Sequence, residues 1–412
     1  MNNQTLELSI ESKFKLSEKI ILKNRLCKSS LSEQLADKQH NPSPELLKLY
    51  DTWSCGGAAL LLSGNIMVDR RFLAETRNVV LDQQSDLTLF RELTTKATQH
   101  QTHFWAQLSH PGKQVSNVMS WQPVAPSAIA MSGGFQFAFN KPKALDEAEI
   151  LHIIQLFAES AGLAKQVGYT GVEIHGAHGY LINQFLSPLH NQRTDQWGGS
   201  LENRMRFLSE VYQAIRTKVG PDFPIGVKLN SADFMKGGFD EQDSIQVIKK
   251  LEKLGVNLIE ISGGTYESQA MSGIHVKAST QKRESYFIDF SEKIRESCSV
   301  PILLTGGFRS VKGMKDALQQ HATDLIGLGR TLCVEPDLPN QFLSGHRQKI
   351  ELPSLSTGWK LLDKLSLINI TWYEHQLAHI GKGKKPDIHL NEKKSVYMTF
   401  KDMGLNLFVA RR

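Results

Sequence analysis

The chain has 412 residues, 40% of them hydrophobic, which suits either two average domains or one barrel-type domain with additions. Its 48 basic and 42 acidic residues leave a formal charge of +6 spread along the sequence, so no nucleic-acid footprint stands out, although an anionic ligand is compatible with the balance. No basic leader precedes an apolar run, no apolar stretch is long enough for a bilayer, and Cys27, Cys55, Cys298 and Cys333 lack disulfide, zinc or iron–sulfur spacing; a soluble cytoplasmic protein with buried thiols and no metal is expected.

Short β-branched runs alternate with longer amphipathic stretches, the pattern of parallel strands covered by helices. In chain order the expected elements are strand Ile21–Lys28, helix Pro44–Ser54, strand Ala58–Ser63, helix Leu87–Gln99 and strand Phe104–Leu108. Helix Asp146–Gln166, strand Gly171–His175, helix Leu201–Lys218, strand Ile225–Leu229 and helix Glu241–Leu254 follow. Strand Leu258–Ser262, helix Tyr286–Glu296, strand Ile302–Thr305, helix Val311–Gln320 and strand Leu325–Leu328 complete the series. Eight such strands predict an α/β fold, a closed (β/α)8 TIM barrel. An open doubly wound sheet shows the same alternation, but candidate functional residues follow most of the strands instead of meeting at one switch point. Pro111–Ala144, rich in Pro, Gly, Ser and aromatic residues, is too long for an ordinary connection and predicts a capping loop after the third strand. Residues 1–345 thus form the barrel, and 346–412, with Trp372, Tyr373 and Met398, form a C-terminal extension expected to pack on it or to make an oligomer contact.

Chemistry concentrates after the fourth strand, where GVEIHGAHGYL places His175, His178 and Tyr180 at one strand end. Two imidazoles three residues apart can aim N–H donors at one oxygen, and a phenol two residues on can reach a neighbouring atom; this is equipment for polarising a carbonyl and protonating beside it. Strands seven and eight end in Thr305-Gly306-Gly307 and Gly327-Leu328-Gly329-Arg330, where glycine lets backbone N–H groups approach an anion and Arg330 pairs with its charge. Barrels bind phosphate at these two loops. Ser29 to Ser32, Gly64, Gln107 and Lys228 stand at other strand ends, a set that suits a flat heteroaromatic ring with carbonyl and N–H edges.

These segments, with LKNR at Leu22–Arg25, AQLSHPGK at Ala106–Lys113, APSAI at Ala125–Ile129, KLNSADF at Lys228–Phe234, EISGG at Glu260–Gly264 and RTDQWGGSLENR ending at Arg204, resemble the Old Yellow Enzyme family of FMN-dependent ene-reductases over about Leu22 to Asp337. The resemblance implies FMN as cofactor, NADH or NADPH as reductant and an enone-type small molecule as substrate. It implies Ser29 and Ser32 near flavin N5 and O4, Gly64 giving the ring room, Gln107 at the pyrimidine edge, Lys228 near N1 and O2, and the backbones of Gly307, Gly329 and Arg330 on the phosphate. His175 and His178 would then bind the substrate carbonyl, and Tyr180 would donate the proton to the α carbon. Three positions depart from the family pattern: Lys228 stands where many members have Arg, Ser32 where Thr or Cys is common, and Gln34 where one branch has a substrate-contacting Tyr. The chain lacks the cysteines of relatives with an iron–sulfur extension.

Three other readings stay open on the residues alone. A metal-dependent hydrolase barrel would use His175 and His178 as ligands, but no carboxylate cluster completes the shell. A non-catalytic flavin-binding protein would not need the His–His–Tyr set. A Schiff-base aldolase would use Lys228.

Overall fold

The computed structural model describes residues 8–132, 137–265, 267, 284–358, 367–399 and 401. Eight parallel strands follow one another around a barrel: β1 (Leu26–Lys28), β2 (Leu60–Met67), β3 (His103–Ser109), β4 (Gly171–Gly176), β5 (Ile225–Asn230), β6 (Leu258–Ser262), β7 (Ile302–Thr305) and β8 (Leu325–Leu328). Leu26–Lys28 pairs with both Leu325–Leu328 and Leu60–Met67, which closes the cylinder. Strands β4, β5 and β6 are buried at every position, because helices cover the outside while side chains fill the inside. The outer ring is α1 (Pro44–Cys55), α2 (Leu87–Ala97), α3 (Glu147–Gln166), α4 (Arg206–Val219), α5 (Glu241–Leu254), α6 (Ile288–Arg295) and α7 (Val311–Gln319). Sequence-local chemistry starts these helices: Ser43, Asp86, Asp240 and Ser310 accept from first-turn backbone N–H groups, and Asp146 with Glu149 forms a capping box before α3.

Two expected elements are divided. The run Ile21–Lys28 is interrupted at Asn24, whose side chain accepts from Leu26 N and donates to Gly57 O, so only Leu26–Lys28 enters the barrel. Its first part, Ile20–Leu22, instead pairs antiparallel with Phe14–Ser17. The stretch Leu201–Lys218 breaks at Met205 into Leu201–Arg204 and α4, and the break turns buried Arg204 toward Leu186 O and Asp243.

Inward-facing residues alternate along each strand and stack in layers. At the bottom, Cys27, Leu60, Leu62, Trp105, Leu258, Leu303 and Leu325 form an apolar plug, closed from below by Leu16 and Leu22 of the hairpin. The Trp105 indole needs space that Gly171 and Gly226 leave: a Cβ on either would come within 2.5 Å and 2.9 Å of its ring. Above the plug lies a polar layer of Ser29, Gln107, Glu173, Lys228, Glu260 and Thr305. The strand ends carry His175, Ser109 and Ser262. Register fixes the stacking, since Gln107 is paired with Glu173, and Lys228 with both His175 and Glu260.

The segment after β3 carries a short pairing of Val124–Ala125 with Lys143–Ala144 and leans over the mouth, where Gln114 donates to His178 O at 3.0 Å. Beyond the barrel, α8 (Leu367–Gly381) lies against α1 and the short helix Arg330–Val334, with Trp372 fully buried. Among the described residues no helix is long and apolar enough to cross a membrane.

His110, the residue after β3, is buried, accepts from Gly112 N through Nδ1, and is pushed down to about 4 by burial. The unfolded chain takes up a proton near pH 6.5 that the folded chain refuses until about 4, so stability falls as pH drops through that window, by about 3 kcal/mol for this group. Urea unfolding of His110→Gln between pH 7 and 4.5 is expected to show a shallower acid loss than the parent.

Candidate active site

The barrel mouth opens into a cavity of about 1010 Å³, open side included, lined among others by Ser30, Ser32, Asn65, Gln107, His175, His178, Tyr180, Lys228 and Arg330. A concave site at the C-terminal ends of the strands, lined by convergent polar groups, is where barrels hold cofactors and substrates. Residues from most strand ends thus meet, as the barrel reading expects.

His175 and His178 are held in one hydrogen-bonded chain. Ser109 Oγ lies 3.2 Å from His175 Nδ1, His175 Nε2 lies 3.2 Å from His178 Nδ1, and His178 Nε2 lies 2.7 Å from Ser262 Oγ. His178 adopts a left-handed backbone (φ +62°), tied down by its N–H on Asn230, which turns its ring back toward His175. The rings are nearly perpendicular, with centroids 5.3 Å apart. Burial, His178 and Lys228 hold His175 well below the usual imidazole range, and burial and Lys228 do the same to His178. Both rings are therefore neutral near pH 7, each with one N–H. In this arrangement the two rings bond to each other, where the sequence spacing alone suggests two donors already aimed at one external oxygen. Both serine hydroxyls are able to donate, so the chain runs in either direction.

Tyr180 stacks at 4.6 Å from the His175 ring and its hydroxyl accepts from Asn65 Nδ2 at 3.2 Å. On the floor, Lys228 Nζ is 3.1 Å from Glu260 Oε1, using one of three donors. Gln107 accepts from Ser30 Oγ at 2.7 Å and donates to Glu173 Oε2 at 2.6 Å. Ser29 is buried and bonded to Thr305 Oγ1 at 2.7 Å, a contact that exists because Gly327 has no Cβ to strike both hydroxyls. Ser32 lines the cavity and donates to Glu75. Gly64 sits behind the cavity wall: its N–H donates to Glu33 at 2.9 Å, and a Cβ there would come within 1.9 Å of that carboxylate.

At the phosphate end expected from the sequence, Gly307 has φ +105° and its Cα faces Glu284 O, where a Cβ would meet it at 2.2 Å. Gly329 precedes Arg330, whose guanidinium lies over the Tyr373 ring at 5.9 Å. Arg309, two residues after Gly307, stands near enough that burial and then repulsion from Arg330 pull its guanidinium below the usual range. Arg330 lines the cavity and Arg309 stands close to it, a concentration of positive charge that suits an anion.

Sequence reasoning missed several wall residues. Ser109 and Ser262 were visible only as ordinary strand residues, and Arg309 carried a faint signal as a second arginine beside a Gly-Gly turn. Asn369, Ile370, Tyr373, Glu374 and Leu377 come from α8, so the C-terminal extension supplies one side of the cavity. Glu374 accepts from Gln34 Nε2 at 2.8 Å and is pushed up to about 8 by burial and by Glu75.

Comparison with known proteins agrees with this geometry. The sequence pattern of the NADH:flavin oxidoreductase / NADH oxidase family matches residues 14–349, most of the chain. The chain belongs to the Old Yellow Enzyme family of NADH:flavin oxidoreductases. It is 36% identical over 369 residues to the NADH-dependent flavin oxidoreductase iliE of Hypocrea jecorina, covering 82% of this chain and 91% of that one. To the NADH-dependent flavin oxidoreductase nadA of Aspergillus parasiticus it is 35% identical over 336 residues, covering 78% and 75%. In fold it is similar to the Old Yellow Enzyme homologue of Zymomonas mobilis (TM-score 0.71, 23% identity, 85% of this chain and 98% of that one). This Old Yellow Enzyme family member is thus an oxidoreductase that uses a flavin with a nicotinamide reductant and acts on small molecules.

The residues present fit such a flavin. A cation with donors to spare and an amide line the floor of one cavity, Arg330 lines its wall, and Arg309 stands close to Arg330. Among the described residues no group of His, Cys, Asp and Glu is arranged to hold a metal ion.

Proposed function

We propose that the protein reduces the carbon–carbon double bond of an α,β-unsaturated carbonyl compound, with NADH or NADPH as reductant and FMN lying across the barrel mouth. The observation that carries this reading is the Ser109–His175–His178–Ser262 chain over the cavity that Lys228 floors. When bound, the flavin stores the electron pair from the nicotinamide and passes it on as hydride.

The side chains do the rest. If Ser109 donates to His175 Nδ1 and Ser262 donates to His178 Nε2, the remaining N–H of each ring points into the gap between His175 Nε2 and His178 Nδ1. A substrate carbonyl oxygen entering that gap replaces the ring–ring bond with two N–H donors. The donors are neutral, preorganised and buried, which is where such stabilisation of developing oxygen charge is largest. Tyr180, oriented by Asn65, supplies a proton to the α carbon as the β carbon receives hydride. Lys228 stabilises negative charge at the ring edge above it, and Gln107, fixed by Ser30 and Glu173, presents its amide to the same ring. Gly307, Gly329, Arg330 and Arg309 would hold the phosphate, and Ser32, bonded to Glu75, would meet the ring.

The deciding experiment is anaerobic titration of the yellow protein with NADH and NADPH, followed by an enone panel. Reoxidation by enones at rates far above those with saturated ketones is the expected result. Tyr180→Phe is expected to lower enone turnover roughly 100-fold or more while leaving reduction by the nicotinamide nearly unchanged, measured by stopped-flow in each half-reaction. Arg330→Ala is expected to weaken FMN binding roughly 10- to 100-fold and riboflavin binding little, since only the phosphate contact is lost, as read by fluorescence quenching.

A further inference from the structure

Two carboxyl groups beneath the cavity floor hold Gln107 and Lys228 in the chemistry above but transfer no proton in it. Glu173 of β4 and Glu260 of β6 are both fully buried and bracket Lys228 of β5 in the polar layer. Glu173 Oε2 accepts from Gln107, and Glu260 Oε1 accepts from Lys228 at 3.1 Å and from Thr305 Oγ1 at 2.6 Å. Their other oxygens, Glu173 Oε1 and Glu260 Oε2, are buried and receive no donor from the described residues, yet the two carboxyl groups are hydrogen-bonding neighbours. Two ionised carboxylates repel each other at such a buried contact, and one proton between them satisfies both oxygens.

We propose that Glu173 and Glu260 share a single proton below the ring site and take up a second one when negative charge arrives above Lys228. The charge count supports it. With one shared proton the pair carries −1 and balances Lys228, so the polar layer is neutral. Electrons placed on a ring above Lys228 add a charge that Lys228, already paired with Glu260, does not fully meet. A second proton, drawn from solvent, forms one O–H bond on the pair; no electrons move within it, the pair becomes neutral, and Lys228 is released to face the ring. Among the described residues, the Cys27 thiol of β1 also faces the pair; burial and the two carboxyl groups push it well up, so it stays neutral. Glu173 is joined to the cavity by the Gln107–Ser30 hydrogen bonds. The burial and the neighbouring Glu260 that raise Glu173 act in the same direction.

The shared proton stands on the geometry alone, whereas its response to reduction rests on the flavin reading above. Infrared spectroscopy separates the two. Besides the band of Glu374, the chain at pH 7, with or without flavin, is expected to show a second protonated-carboxyl band that shifts in D2O, is lost in Glu173→Gln and persists in Glu374→Gln. A reduced-minus-oxidised spectrum of the flavin-loaded protein is expected to show one carboxyl group gained and one carboxylate lost. The flavin potential should then fall with pH as for two protons per two electrons, and as for one proton in the Glu173→Gln/Glu260→Gln double variant. Absence of the second carboxyl band in a chain that holds flavin, no gain on reduction of the unaltered protein, or a two-proton dependence that survives the double substitution each overturns the proposal. A chain that binds no flavin overturns the functional reading instead and leaves the second carboxyl band as a valid test of the shared proton.

Discussion

His175→Ala is expected to slow reoxidation of the reduced protein by cyclohexenone about 100-fold or more, the size of effect seen when one oxyanion donor is removed from a preorganised site. The ring does more than donate. It relays Ser109 to His178, so its loss leaves the Ser109 hydroxyl and His178 Nδ1 without partners and frees the His178 ring to turn. His178→Ala should cost a similar factor, because the second donor is lost and Ser262 no longer sets a direction for the chain. Ser262→Ala should cost less, since His178 keeps its ring and its backbone anchor on Asn230. The pH dependence carries an independent sign. Both imidazoles are held well below the usual range, so the rate is expected to stay flat as pH falls through about 6.5 and to decline only at more acid values. Stopped-flow traces with enone varied at fixed pH measure this directly. Wild-type rates in either alanine variant would show that the carbonyl is held elsewhere.

Trp105→Ala is expected to destabilise the barrel by about 3–5 kcal/mol, the usual cost of emptying a large aromatic from a close-packed interior. The indole is fully buried among Leu60, Leu62, Leu258, Leu303 and Leu325. Its neighbours are poorly placed to collapse into the void, because Gly171 and Gly226 bring only backbone to its flanks. The plug supports the polar layer, and water entering from below would reach Glu173 and Glu260, which are fully buried. Urea unfolding monitored by circular dichroism measures the loss, and weaker flavin retention should accompany it. A loss below 1 kcal/mol would mean that the plug repacks.

Much of this molecule is legible in its residues. All eight barrel strands appear as short, mainly apolar runs, since helices cover one face and the barrel interior buries the other. The candidate site residues His175, His178 and Tyr180 are readable because side chains able to transfer protons stand together where a strand ends and the chain leaves the sheet. Asn24 and Met205 were harder. Asn24 interrupts its run through a bond to Gly57, and the break at Met205 accompanies the bond of the preceding Arg204 to Asp243; both partners are distant in the chain, and no local periodicity signals them.

By itself the amino-acid order determined the elements, their parallel arrangement and which strand ends carry proton-transfer groups, because a repeat of two or 3.6 residues and a cap or a glycine turn act over a few neighbours. Closure of the barrel decided the partners. Only when β4, β5 and β6 stand side by side do Glu173, Lys228 and Glu260 meet, and only then does His178 find Ser262. The place of α8 was decided the same way: its apolar face demands burial, but what it covers depends on α1 and the cavity wall being brought to it from elsewhere in the chain.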